Sequence, residues 1–159
     1  MDAIVCDTTT LIVLGKQQQL GLFAACFGRV LLPPAVYAEW LAGDSGIAGE
    51  IREWKYLQII APEKTLLLTE ILALLDPGEA EALVLAKQRG LPLLVDEKKG
   101  RNVARMMGIP VLGLVGLLLL AVQRQVLTRD MAAAILQRAK DDGFHLSDRL
   151  HRAFLEHLR

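Results

Sequence analysis

Apolar residues fall in short runs that alternate with longer stretches of helical spacing, and turn residues mark the joins. Residues 3–6 are apolar and end in Asp7-Thr8-Thr9-Thr10, which suit a turn and a helix N-cap. A helical stretch follows, with another over 20–27. Residues 29–32 form a second run, stopped by Pro33-Pro34; proline fits the first position of a helix, predicted here over 35–42. Residues 43–46 read as a loop, 47–54 as a helix, 57–60 as a short edge strand and 66–75 as a strongly apolar helix. Beyond Asp76-Pro77-Gly78 the pattern predicts a helix over 79–89, a buried strand over 93–95 and a helix over 98–107. A last strand at Val111-Leu112 and helices near 114–125, 129–140 and 147–158 complete the chain.

Strands separated by helical segments imply right-handed crossovers, so the expected fold is a three-layer α/β/α domain spanning residues 1–159, with a short, mostly parallel sheet. The apolar run over 109–122 carries Pro110, Gly113 and Gly116. It falls short of the ~20 residues of a spanning helix, so core is the expectation and no membrane contact is implied. The segment 66–75 also reads as core, because exposed apolar patches of that size are uncommon.

The 159 residues carry 18 Lys+Arg and 18 Asp+Glu, for a net charge of zero, and 53% are hydrophobic. That apolar share excludes a disordered chain, and the charge balance excludes a polybasic nucleic-acid or membrane binder. The first residues show no basic stretch leading into an apolar leader, and Cys6 and Cys26 make neither a disulfide framework nor a zinc spacing. A cytoplasmic protein with two inert packing cysteines is expected.

The acids change the picture. Asp7 closes the first strand and Asp96 the strand over 93–95, which puts both at the carboxyl edge of the sheet, where α/β folds bind ligands. Asp7 has a plain alternative as a helix cap. At about 100° per residue, Glu39 shares a face with Ala35, Val36 and Ala42, while Tyr37, Trp40 and Leu41 lie opposite. Glu39 is therefore a compensated acid or one reaching solvent from the border of the stripe. By the same count Glu79 faces inward between Leu83 and Ala86, and Glu81 lies beside Gln88 on the solvated side. Asp76-Pro77-Gly78-Glu79 also fits a capping-box variant. Asp7, Glu39, Glu79 and Asp96 meeting at one edge would raise one another's pKa values unless a cation intervened. Oxygen-only donors suit Mg²⁺ or Mn²⁺, ions that bind phosphate oxygens and activate water.

These pieces resemble a known family. Val5-Cys6-Asp7-Thr8-Thr9, Val30-Leu31-Leu32-Pro33 with Val36-Tyr37-Ala38-Glu39, Gly78-Glu79-Ala80-Glu81-Ala82, Leu91-Pro92-Leu93-Leu94-Val95-Asp96-Glu97 and Gly108-Ile109-Pro110-Val111-Leu112-Gly113 are similar, in order and spacing, to the PIN-domain ribonucleases, in particular the short stand-alone VapC toxins of toxin–antitoxin pairs. The match runs over about residues 2–120. The resemblance implies a metal-dependent endoribonuclease acting on RNA, with Asp7, Glu39, Glu79 and Asp96 as ligands, and Thr8 or Thr9 supporting the first aspartate. Glu97 is the alternative fourth acid. Glu79 stands where the toxins commonly have Asp, and Leu114 where relatives carry a hydroxyl or acid. The resemblance further implies a homodimer and a small antitoxin protein that masks the site.

Other features weigh less. Lys98, Lys99 and Arg101, with Arg105 one turn on, read either as a phosphate-binding cluster led by Arg101 or as a solvated helix face. His145, His151 and His157 recur every six residues, which does not line them up on one helical face, and Ser147-Asp148 reads as a cap. Two other function classes compete with the nuclease: a PIN-like protein that only binds, and a phosphoacceptor receiver domain. The receiver needs a second acid beside the first strand's end, where this chain has Thr8-Thr9-Thr10.

Overall fold

The computed structural model describes residues 3–43 and 55–159; the helix predicted over 47–54 lies outside them. Among the described residues five parallel strands form one sheet: β1 (Ala3–Cys6), β2 (Arg29–Leu32), β3 (Leu57–Ile59), β4 (Leu93–Leu94) and β5 (Val111–Leu112), in the order β3-β2-β1-β4-β5. The helices are α1 (Thr8–Lys16), α2 (Gly21–Cys26), α3 (Pro34–Gly43), α4 (Leu66–Leu72), α5 (Pro77–Arg89), α6 (Lys98–Met106), α7 (Leu114–Gln123), α8 (Arg129–Asp141) and α9 (Asp148–His157). They flank the sheet as the three-layer expectation requires. α1, α3, α4 and α5 pack on one another, and α2, α7 and α8 form a second packed group. No helix among the described residues is long and apolar enough to cross a membrane.

The central strand is apolar on both faces: Ile4, Val5 and Cys6 are fully buried, as a parallel strand covered on both sides demands. The chain leaves β1 toward β2 and β3, then returns to pair β4 on the other side of β1. This reversal is the topological switch point at which open α/β sheets form ligand crevices. Register brings the strand ends level. Val5 lies opposite Leu93, and Leu94 opposite Leu112. The Asp7 N–H donates to the Leu94 carbonyl at 3.0 Å and the Val95 N–H to that of Leu112 at 2.9 Å. Pairing thus continues to the residues where β1 and β4 give way to α1 and α6.

Local chemistry accounts for the helix ends. Asp76 caps α5, accepting the Glu79 N–H at 2.9 Å; Pro77 starts the helix and Gly90 ends it in the left-handed region at φ 63°. Thr65, Thr128 and Ser147 cap α4, α8 and α9 through their hydroxyls. The predicted Ser147 cap is therefore present.

Two expectations about apolar helices need correction. In α4 and the residues after it, Leu68, Ile71 and Leu75 are buried, but Leu66 is 75% exposed and Leu72 and Leu74 are also exposed. A helix lying on α5 buries a single stripe, so an all-apolar sequence leaves leucines outside. In α3 the buried stripe is Val36 and Trp40, one turn apart, rather than the small residues beside Glu39. The indole offers far more surface to bury than the alanines, so it sets how the helix is turned. Replacing Leu83, fully buried in α5, by alanine is expected to destabilise the chain by about 3 kcal/mol, against less than about 0.5 kcal/mol for Leu66→Ala. Urea unfolding of the two variants checks this difference.

Candidate metal-binding cleft

Asp7 is the first residue beyond β1 and occupies the N-cap position of α1, yet its side chain makes no capping hydrogen bond. The plain reading of this acid is therefore set aside. The carboxyl is 5% exposed, and burial pushes its pKa up to about 7. The Thr8 backbone N–H pulls it back in part, while the negative charges of Asp76, Glu39 and Glu97 push it further up.

Glu79 enters from the first turn of α5. It is 7% exposed, and its pKa rises to about 8 through burial, the Glu97 carboxyl against it, and the charges of Asp76 and Asp7. Its Oε1 is buried with no hydrogen-bond partner. Only half of the predicted capping box forms: Asp76 caps the helix, while the Glu79 side chain is left for the cleft.

Glu39 comes from α3 and is exposed as a residue, so the escape to solvent is partly realised. Its Oε2 is nevertheless held by the Thr8 hydroxyl at 2.9 Å. α3 approaches the start of α5 so closely that a Cβ on Gly78 would lie 2.9 Å from that same oxygen and 3.5 Å from Val36 Cγ2. Glycine at 78 leaves the Glu39 carboxylate room beside the start of α5. Glu81 is not solvated, contrary to expectation: half-buried, it accepts the Ala35 N–H at 3.2 Å and so satisfies an otherwise open donor at the start of α3.

The two candidates for a fourth acid differ in their surroundings. Both oxygens of Asp96 are engaged, Oδ2 by the Thr10 hydroxyl at 2.6 Å and Oδ1 by the Leu114 N–H at 2.9 Å. Burial raises its pKa, while Thr10, Leu114 and the nearby Arg101 guanidinium act in the opposite direction. Glu97 is among the charges that raise both Asp7 and Glu79. It is exposed, at the N-cap position of α6. Asp76, read from the sequence only as a cap, also acts on both.

The remaining predicted residues divide. Thr8 holds Glu39 rather than the Asp7 carboxylate, and no side-chain hydrogen bond of Thr9 is seen among the described residues. Thr10, which was not singled out, is the partner of Asp96. Lys98, Lys99 and Arg105 are exposed on α6, but Arg101 is half-buried and turned toward Asp96 and Gly113, away from that solvated group. Leu114 is fully buried and contributes its backbone N–H alone. Cys6 and Cys26 are buried, and burial pushes the Cys6 thiol well above its ordinary pKa, in keeping with inert packing.

The charges of Asp76 and Glu97 act on both Asp7 and Glu79, and that of Glu39 acts on Asp7, all raising the carboxyl pKa at the switch point. The donor chemistry fits a hard divalent ion: all oxygen, two carboxyls whose pKa values are raised by burial and then by neighbouring acids, and one buried oxygen of Glu79 unpartnered. As the side chains stand, no three His, Cys, Asp or Glu among the described residues are already drawn close enough to enclose an ion.

No curated protein matches the chain. Eleven chains of solved structures do. Among them is a PilT N-terminus domain protein from the hyperthermophilic archaeon Sulfolobus solfataricus P2, 12% identical, covering 77% of this chain and 92% of its own, with a TM-score of 0.47. The family model of DUF3368, described as a PIN domain, matches residues 3–159. PIN domains are generally nucleases and generally use divalent metal ions. With the match extending over nearly its whole length, the chain belongs to the PIN-domain family.

Proposed function

We propose that the chain is a Mg²⁺- or Mn²⁺-dependent endoribonuclease whose cleft is built from Asp7, Glu39, Glu79 and Glu97, with Asp96 holding the framework. The observation that carries this reading is the pair of buried carboxyls, Asp7 and Glu79, raised to about 7 and about 8 by burial and by neighbouring acids. An arrangement that unfavourable without positive charge is suited to binding it. Asp7, Glu79 and Glu97 would hold the ion, with Glu39 completing the set from α3. When bound, a divalent ion neutralises phosphate oxygens and favours deprotonation of a water at neutral pH.

The chain's own residues contribute orientation and proton binding. Thr8 fixes Glu39 Oε2, and Asp96 holds α1 and the start of α7 at a set distance from each other. Glu79 retains a proton near neutral pH until positive charge displaces it. In phosphodiester hydrolysis a water oxygen bonds to phosphorus as the P–O bond to the leaving strand breaks. The oriented acids would define where both the water and the phosphate sit.

A toxin role, a masking antitoxin and a homodimer are supported by the family resemblance, and the exposed Leu66, Leu72 and Leu74 offer apolar surface for a partner. The second reading, a PIN-domain protein that binds without cleaving, is favoured by one observation: no three acids among the described residues already enclose an ion position.

A cleavage assay on single-stranded RNA separates the two readings. Mg²⁺ or Mn²⁺ should support cleavage and EDTA abolish it, while Asp7→Asn and Glu79→Gln each lower the rate by at least about 100-fold without altering the circular dichroism spectrum. Equal cleavage by wild type and Asp7→Asn would remove Asp7 from the site, and no cleavage with either ion would leave the binding reading.

Stability should also depend on pH in a defined direction. Asp7 and Glu79 have folded pKa values above their unfolded ones, so the folded chain binds more protons than the unfolded chain between about pH 4 and 8. Stability without metal therefore falls as pH rises through that window. In EDTA the thermal midpoint is expected to be lower at pH 8.5 than at pH 5.5 by on the order of 5 °C, with Mn²⁺ restoring more of it at pH 8.5. Asp7→Asn should reduce this pH dependence.

Asp96→Ala, in contrast, should lower stability by about 2 kcal/mol even in EDTA, because it leaves Thr10 and the Leu114 N–H without their acceptor. Chemical unfolding in EDTA, with Asp7→Asn alongside, distinguishes a framework acid from an ion-holding one.

A further inference from the structure

Beside the acidic cleft lies a cavity of about 290 Å³ between the end of β5, the starts of α6 and α7, and the connection from α8 into α9. Its polar side is Asp96, Arg101 and His145; Leu119, Phe144 and Leu150 are among its apolar walls. Arg101 is the anomaly. It is half-buried, its Nε is out of contact with solvent and has no partner, and no hydrogen bond or ion pair from its guanidinium is seen among the described residues. Its charge bears on Asp96, but both oxygens of that carboxylate already accept hydrogen bonds from Thr10 and Leu114. A guanidinium carries five donors in a planar fork, and a donor such as the Nε–H shut off from water with no acceptor is unfavourable.

We infer that this cavity receives one base of the RNA strand next to the cleaved phosphodiester, with the acceptor edge of a guanine on the Arg101 fork. The inference rests on the RNA-cleaving reading for its ligand. The Arg101 fork matches two adjacent acceptors, and guanine offers them in O6 and N7. The apolar lining favours a base over a phosphate, whose charge would have to be stripped of water there. Phe144 and His145 supply rings against which a base can lie. The volume sits at the lower end of small-molecule sites, about 300–1,000 Å³, which suits one base and not two. Asp96 is shared between this wall and the strand end that carries Glu97, so a base held here belongs to a strand whose phosphate lies toward the acids.

The test uses the full chain, with EDTA present, and reads amide shifts in ¹H–¹⁵N spectra while guanosine or cytidine 5′-monophosphate is added. Guanosine monophosphate is expected to shift the amides of Gly113, Gly116, Leu119 and His145 saturably, and to bind at least about 5-fold more tightly than cytidine monophosphate. Arg101→Gln should abolish that preference. Leu150→Trp, at an exposed position of α9, fills the cavity and should weaken guanosine binding about 10-fold without changing the thermal midpoint, which covers the case of an Arg101 variant that fails to fold. Equal binding of the two nucleotides, or shifts confined to the neighbourhood of Asp7 and Glu79, would overturn the inference. A chain that prefers guanosine here but cleaves no RNA would keep the base site and remove the nuclease reading. A chain that cleaves RNA with no preference among bases would do the reverse.

Discussion

The half-buried carboxylate of Asp96 accepts one hydrogen bond from each side of the sheet's carboxyl edge, from Thr10 on α1 and from the backbone at the start of α7. Through it the ends of β1, β4 and β5 share one anchor. Asp7 lies three residues before Thr10 and Glu97 directly follows Asp96, so two of the cleft's acids take their positions from this anchor. A carboxylate suits the task because each oxygen can take a donor from a different element, and a charged acceptor makes both bonds stronger than a neutral one would. The residue that looks most like a ligand from its place near a strand end is thus also a structural tie between two helices.

The cleft is arranged against its own electrostatics. Burial and like charge oppose ionisation of Asp7 and Glu79, and the apolar strands and helices around them supply the framework that tolerates the conflict. The α5 N-terminus gives some relief, since open N–H groups and the helix dipole favour negative charge in the first turn. The zero net charge of the chain agrees with this division. Basic side chains such as Lys98, Lys99 and Arg105 stay outside in solvent, and any positive charge for phosphate has to be brought in locally.

Much of the fold was legible because apolar runs, proline and glycine mark strands and helices locally. β2 was bounded by Pro33, and α5 by Asp76-Pro77 and Gly90. Inward placement of Glu79 also followed from helical spacing alone, since its neighbours on that face are Leu83 and Ala86. The errors share a cause. Glu81 accepts the N–H of Ala35, 46 residues earlier, and Asp96 meets a threonine 86 residues away. Neither partner is marked in the local pattern. Asp96 and Glu97 both lie beyond β4, where strand alternation no longer assigns a side. The turn of α3 was misread because counting apolar positions ignores how much surface each can bury, and one tryptophan outweighs several alanines.

Gly78 sets a different kind of limit on this protein. Its missing side chain is the space through which α3 and α5 approach, with the Glu39 oxygen 2.9 Å from where a Cβ would stand. An acid in the cleft can be exchanged for its amide or its shorter homologue, changing charge or reach by degrees. A methyl group at 78 would instead push the end of the exposed Glu39 side chain aside, with Val36 at ordinary contact distance. Sequence drift at this one position can therefore move an acid of the cleft without replacing any acid.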